Sequence, residues 1–477
     1  VLDAAEQPGG KIHTQTVNGA AIDSGPTVFT MRWVFDELLR TVGTRLEDQL
    51  RLAPLSVLAR HFWYDGSQLD LFAEAERSEA AVAEWAGRDE ATRFRDFCAR
   101  ARSVHDTLEG PFMRAQRPGM VELSARLGPK GLAVLSSSGP MRTLWQQMVR
   151  QFRDPRLQQL FARYATYCGS SPWQAPATLM LVAQVEMDGV WSVEGGMTAL
   201  SGMLARLASA HGAQLRMGCL ATRIDVRQER VCGVQLSTGE YLPADQVLFN
   251  GEAAALREGL LGAAPRAAVP AQAPPRSLSA MTWAMHAPLS GVALDRHNVF
   301  FCPEYQQEFD DIFVHRRLPR LPTVYVCAQD RPGEVPEGAP ERVLALVNAP
   351  ASGDAQDWRD EDLDTCQATT FSYLHCLGLR LPFASRGMRR NSPQDFHHRF
   401  PASGGALYGQ ATHGWTSIFS RPGSQTPVRG LYLAGGSVHP GPGVPMAALS
   451  GQLAAEAMLA SPVSISRSRP VATSGGT

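Results

Sequence analysis

The spacing of apolar positions changes several times along the chain, and each change marks an element. Near the carboxy end, Leu431, Tyr432, Leu433 and Ala434 form a short apolar run bounded by glycines, the pattern of a buried strand. After a loop rich in glycine and proline, Pro445 stands where a helix begins, and Met446, Leu449, Leu453, Ala454 and Met458 recur at helical spacing. The prediction is strand, glycine-rich loop, helix. Gly435, Gly436, Gly441 and Gly443 let the backbone approach a flat or charged group, and the helix start behind them offers free N–H groups and a positive dipole end. A phosphate or a flavin ring fits both properties. An ordinary tight βα connection would use the same residues.

Other segments follow the same logic. Residues 1–3 read as the end of a strand followed by a Pro8-Gly9-Gly10 loop, and Asp23-Ser24-Gly25-Pro26 closes a short hairpin. Trp33, Val34, Leu38, Leu39 and Val42 mark an amphipathic helix stopped by Gly43. From 72 to 163 the pattern is mostly helical. A further helix is expected to be capped by Thr198 and to carry Leu200, Met203, Leu204 and Leu207. Strands are predicted over 215–224 and 246–250, with a hairpin of 226–230 against 231–236. The Pro/Ala-rich stretch 263–275 reads as a linker or surface excursion. Apolar runs at 299–302, 323–328 and 343–347 read as strands, residues 360–379 as a helix, and 461–477 as a disordered tail.

Composition removes several function classes. With 477 residues, 44% of them hydrophobic and 19% charged, the chain can build two or three cores. A formal net charge of -1 indicates no polyanion, so nucleic acid is not expected as a partner. The eight cysteines show no CxxC pair and no Cys/His cluster, so neither a disulfide nor a metal site is expected. Apolar stretches such as 177–185 fall short of the roughly 18 residues that span a bilayer.

The order of these segments resembles, along nearly the whole chain, the flavin-dependent carotenoid desaturases, the phytoene-desaturase-like branch of the amine-oxidase-type flavoproteins. The resemblance is carried by VLDAAEQPGGK (1–11), IDSGP (22–26), YATYCGSSPW (164–173), GVWSVEGGM (189–197), HNVFFCPEYQQEFDDIF (297–313), PTVYVCAQDRP (322–332), GGALYG (404–409) and LYLAGGSVHPGPGVPMAALSG (431–451). Within that branch the chain is most similar to the 1-hydroxycarotenoid 3,4-desaturases. The resemblance implies an α/β architecture. A Rossmann-like FAD-binding domain would be assembled from 1–60, 187–260 and 405–460, without its first strand and GxGxxG loop. A helical substrate and membrane region is expected at 61–186 and an α+β substrate domain at 261–404.

The resemblance also implies site roles. Asp3 takes the place of the ribose-binding acid, where the family more often has Glu; read from spacing alone it is an ordinary polar residue near a terminus. Gly9, Gly10 and Lys11 match the second flavin-binding loop, where the family usually has Arg instead of Lys11. Gly25 joins the cofactor contacts, the region around Ala221 would meet the adenine through its backbone, and Gly251 would close the strand beneath it. Gly435, Gly436, Val444, Pro445 and Met446 would lie along the pyrophosphate, ribityl chain and pyrimidine ring. Because the chain starts without Met and at a strand end, it is expected to be a fragment that aggregates when expressed alone.

The implied reaction removes two hydrogens from a C–C bond, with the flavin N5 as hydride acceptor. A conjugated substrate spreads the resulting positive charge, so no catalytic base is assigned. Glu194 reads as a surface carboxylate and His439 as a hydrogen-bonded loop residue. The expected partners are a long apolar carotenoid, a membrane surface and oxygen or a quinone as electron acceptor. The expected place is the cytoplasmic side of a bacterial membrane, bound peripherally. Moving about 40 carbons from lipid into water costs on the order of 30 kcal/mol. An interfacial patch is therefore expected between 111 and 161, with Arg142, Arg150 and Arg153 beside Leu144, Trp145 and Val149. An amine oxidase, a carotenoid isomerase, a retinol saturase-like enzyme and a non-catalytic carotenoid carrier are the competing readings.

Overall fold

A computed structural model describes residues 1–139, 141–355, 358–381 and 387–461. One half is organised by a seven-stranded sheet in the order Met388–Asn391, Ser279–Pro288, Pro340–Ala349, Val324–Ala328, His297–Phe300, Val57–Phe62, Gln68–Phe72. All neighbours are antiparallel except His297–Phe300, which runs parallel to Val57–Phe62. Successive side chains alternate between faces. Met281, Trp283, Val326 and Ala345 pack on one face with Leu363, Phe371 and Leu374 of the helix Asp360–Cys376. Tyr325, Leu344 and Leu346 point from the other face into a large internal cavity. Both faces are covered, which is why these strands read as continuous apolar runs rather than alternating ones.

The second half holds the glycine-rich connection. Val247–Phe249 pairs in parallel with Leu431–Leu433, and the helix Val444–Ala460 follows with Pro445 in its first turn, as the pattern predicted. The hairpin differs from expectation. Its arms are Ala221–Arg227 and Arg230–Leu236, and the turn lies at Gln228 and Glu229, both in the left-handed region with φ 48° and 58°. The segment before Ala221 is not a strand. Arg216 instead forms a parallel bridge with Leu2, its carbonyl accepts from the Asp3 N–H at 3.1 Å, and the Asp3 carbonyl accepts from Cys219 at 2.8 Å.

Three further expectations are corrected. The helix Met197–Ala210 has Gly196, not Thr198, at its start, and its Met197 N–H donates at 2.8 Å to Asp23 Oδ2. A methyl on Gly196 would stand 2.6 Å from that oxygen, so glycine is required there. The 263–275 stretch is not a free linker, because Ala268 and Val269 are buried beside Ile224 and Leu256. Residues 61–72, expected in a helical region, supply two strands at one edge of the large sheet. Apart from Ser461, the predicted tail lies outside the described residues.

Helices fill residues 75–187 around an aromatic core in which the ring centroids of Phe94, Phe97, Phe152 and Phe161 lie 4.5–5.8 Å apart. Leu144, expected at a membrane, is wholly buried, and Trp145 stacks on Trp173 at 4.5 Å. Helix Met120–Ser137 kinks at Gly128 and Pro129 and leaves Met120, Val121 and Leu132 exposed. Among the described residues, no helix is long and apolar enough to cross a membrane.

Burial holds five histidines neutral: the pKa falls to about 3 at His61 and His297, and to about 4 at His13, His413 and His439. Each binds a proton on unfolding between its folded value and the ordinary ~6.5, so stability declines as pH drops through that window. The slope is at most about 1.4 kcal/mol per pH unit per histidine. Burial raises the Asp23 and Glu308 carboxyls, which opposes this by no more than two protons. Urea midpoints should therefore fall steadily from pH 7 to pH 5, and His61→Phe, which retains the ring stack on Phe301, should flatten that fall. A midpoint independent of pH would contradict the assignment.

Candidate active site

A cavity of about 1980 Å³ connects the two halves. Asp3, Gly9, Gly10, Lys11, Gly25, Ala221, Gly251, Gly435, Gly436, Val444, Pro445 and Met446 all line it, although they come from segments hundreds of residues apart. Each reaches the wall for a local reason. Gly435 leaves the Leu431–Leu433 strand with φ 108°, and a methyl there would stand 2.6 Å from Asn250 Oδ1. Its N–H donates to Ser450 Oγ at 2.8 Å, which ties the loop to the following helix. Gly9 turns with φ 142° so that its carbonyl accepts from Ile12 at 3.0 Å. Gly25 passes so near Lys11 that a methyl would lie 1.9 Å from the Lys11 carbonyl oxygen. Asp3 Oδ1 accepts from Ala5 N–H at 2.9 Å.

Two charged groups anchor this end. Lys11 Nζ donates to Glu252 Oε1 at 2.6 Å and to the Leu407 carbonyl at 2.8 Å, so the loop at 9–11 is clamped to the residue after Gly251. Arg421, which the sequence did not single out, is buried and donates to three carbonyls: Tyr408 and Gly436 at 3.1 Å and Gln410 at 2.8 Å. Burial pushes its pKa down to about 10. A single arginine in a loop carries no periodic signal, and only its backbone partners reveal its task.

The residues present fit a flavin. A methyl on Gly10 would meet no protein atom within 4 Å, and on Gly436, Gly441 or Gly443 none nearer than 3.9 Å, so these four leave open cavity space. Among the described residues no side chain caps the Val444–Ala460 helix, whose start lines the same space and suits a phosphate. Glu194 and His439 are not among the lining residues. Glu194 is exposed, with Arg51 at 3.8 Å. His439 Nε2 donates at 3.0 Å to the carbonyls of both Phe112 and Ala115, and burial keeps its ring neutral, so it is a structural residue.

Beyond the glycines the cavity becomes an apolar arm lined by Phe35, Phe112, Met113, Leu179, Val182, Val299 and Leu346. Its polar groups include a cluster in which Glu186 accepts from the hydroxyls of Tyr164, at 2.6 Å, and Tyr167, while Arg163 Nη1 donates to the Tyr167 oxygen at 3.2 Å. Such a lining is chemically suited to a long hydrocarbon.

A family model for flavin containing amine oxidoreductases matches residues 1–459. The chain belongs to that family. Its cofactor is FAD. The hydroxyneurosporene desaturase of Rubrivivax gelatinosus is 54% identical over 100% of this chain and 91% of its own length. The protein of that name from Cereibacter sphaeroides is 43% identical over 98% and 94%. A solved putrescine oxidase bound to putrescine shares the family fold, with a TM-score of 0.58 at 13% identity, covering 96% of this chain and 93% of that one.

Arg421→Met would leave three carbonyls without their donor and should lower stability by on the order of 3 kcal/mol. Denaturant midpoints and the flavin absorbance per mole of protein would both drop. An unchanged midpoint with full flavin content would show that Arg421 does not hold the loop.

Proposed function

We propose that this chain is a membrane-peripheral, FAD-dependent desaturase of acyclic carotenoids that introduces the 3,4 double bond of a 1-hydroxy or 1-methoxy substrate. The observation that carries this reading is the continuity of one cavity from the glycine cradle into a long apolar arm. The names of the similar proteins from Rubrivivax and Cereibacter support it. When bound, FAD supplies the two-electron acceptor that hydrogen removal from a saturated C–C bond requires. The chain's own task is to hold the reacting carbons and to keep water out. Phe112, Met113, Leu179 and Val182 serve this by presenting apolar surface along the arm.

Among the described residues no lining carboxylate stands ready as a strong base in the arm, since Glu186 is already bonded to two tyrosine hydroxyls and Glu252 to Lys11. A polyene that delocalises positive charge does not need one. Oxygen or a quinone would then reoxidise the enzyme. Membrane docking is supported by the exposed apolar side chains of Met120, Val121, Leu132, Met141 and Val149, grouped within the 111–161 region. The wall residues Phe112 and Met113 lie a few residues before this patch in the chain.

Enzyme loaded with FAD and given a 1-hydroxy acyclic carotenoid and an acceptor should shift the carotenoid absorption to longer wavelength. An unchanged spectrum with active, flavin-loaded protein would rule the reading out. Separately, the double variant Val121→Glu, Met141→Glu should reduce sedimentation with anionic liposomes by about tenfold, each charge opposing insertion into the interface. Binding at the original level would place the docking surface elsewhere.

A further inference from the structure

Among the described residues the cavity wall carries Lys11, Arg163, Arg399 and Arg421 as its cationic side chains, and three of them are committed within the protein. Lys11 is offset by Glu252 at 2.6 Å and gives a second N–H to the Leu407 carbonyl. Arg163 donates to Tyr167, which is itself bonded to Glu186. Arg421 is 3% exposed and directs its N–H groups at three carbonyls. Arg399 differs from all three. Its side chain is exposed, and among the described residues it forms no hydrogen bond and no ion pair. Asp395, the carboxylate whose field reaches it, is engaged as a helix cap and accepts from the Ser392 N–H and Oγ at 2.7 Å.

Arg399 closes the helix Pro393–Arg399. A cation suits a helix C-terminus, yet its guanidinium bonds none of the last carbonyls, so the dipole alone does not account for its place on the cavity wall. The next residue, Phe400, holds its ring 5.4 Å from Lys11 Nζ. His13, lowered to about 4 by burial and then by the Arg399 charge, meets the Lys11 carbonyl through Nδ1 at 3.0 Å. Arg399 therefore stands beside the 9–11 loop. That loop is tied to the other glycine turn, because the residue after Glu252, Ala253, donates its N–H to Ser437 Oγ at 3.1 Å, one residue past Gly436. FAD brings two anionic phosphates into this cradle, and an anion withdrawn from water is costly without a counter-charge. We propose that Arg399 is the cation that meets the phosphates of FAD, a task that Lys11 leaves open by pairing with Glu252. A guanidinium offers its N–H groups as a planar fork that matches phosphate oxygens. The assignment concerns the cofactor and holds whatever the substrate is.

The test uses FAD-loaded holoenzyme and riboflavin, which has the ring and ribityl chain of FAD but no phosphate. Holoenzyme is equilibrated with rising riboflavin, and the bound flavins are separated and quantified. The riboflavin excess at half-exchange reads the affinity for FAD relative to riboflavin, without any turnover. Arg399→Gln should lower that excess about tenfold, the loss expected for one charge-assisted contact at a partly open site. Arg399→Lys, which keeps the charge but not the fork, should lower it only about two- to threefold. Raising NaCl from about 0.05 M to about 0.5 M should lower it in wild type and much less in Arg399→Gln, because salt screens an open charge pair. An unchanged excess in Arg399→Gln overturns the assignment. That includes weaker binding of both flavins in step, which would mark a contact with the ring or a structural role. If Arg399→Gln fails to fold, a wild-type excess that salt leaves unchanged overturns it.

Discussion

Asp23 accepts the Met197 N–H through Oδ2 at 2.8 Å, while its backbone exchanges two hydrogen bonds with the Gln329 side-chain amide at 2.8 and 3.0 Å. Gln329 in turn donates from its backbone to the Arg342 carbonyl and accepts from Arg296 Nη1 at 2.7 Å. One buried residue thereby joins the amino-terminal hairpin, the start of the Met197–Ala210 helix and the strands of the large sheet. The cavity is bounded by all three. Burial raises the Asp23 carboxyl while the helix N–H lowers it, and the close approach demands glycine at 196.

Charge in the interior is met by backbone, by an opposite charge or through a relay. Arg421 is surrounded by carbonyls and Lys11 by Glu252 and a carbonyl, which stiffens the cradle without placing a free charge beside it. His61, His297 and His439 are kept neutral by burial. The arm therefore offers a hydrocarbon a largely apolar wall, interrupted by the Arg163, Tyr167 and Glu186 cluster and by Thr323, Tyr325 and Asn348. In a low-dielectric space such a cluster acts strongly because no water competes for it.

Local chemistry explains where reading the chain succeeded. The Leu431–Leu433 strand, its glycine exit and the proline start of the last helix were legible because their signals lie within a few residues of one another. The strands at 299–302, 323–328 and 343–347 were legible as apolar runs. The hairpin was displaced because the turn at Gln228 and Glu229 contains no glycine, although both residues take left-handed backbone angles. The Thr198 cap was misplaced because the true acceptor is 174 residues away in the chain.

The sequence by itself determined the elements whose cause is periodic or steric, and it singled out the glycines and the 9–11 loop that now share one cavity wall. Tertiary structure alone decided which distant groups meet: Asp23 with Met197, Lys11 with Glu252, Arg421 with three carbonyls, and Arg163 with a tyrosine that Glu186 already holds. The physical reason is that backbone preference and hydrophobic period act over a few residues, whereas a buried charge must find its partner wherever the folded chain brings one within about 3 Å.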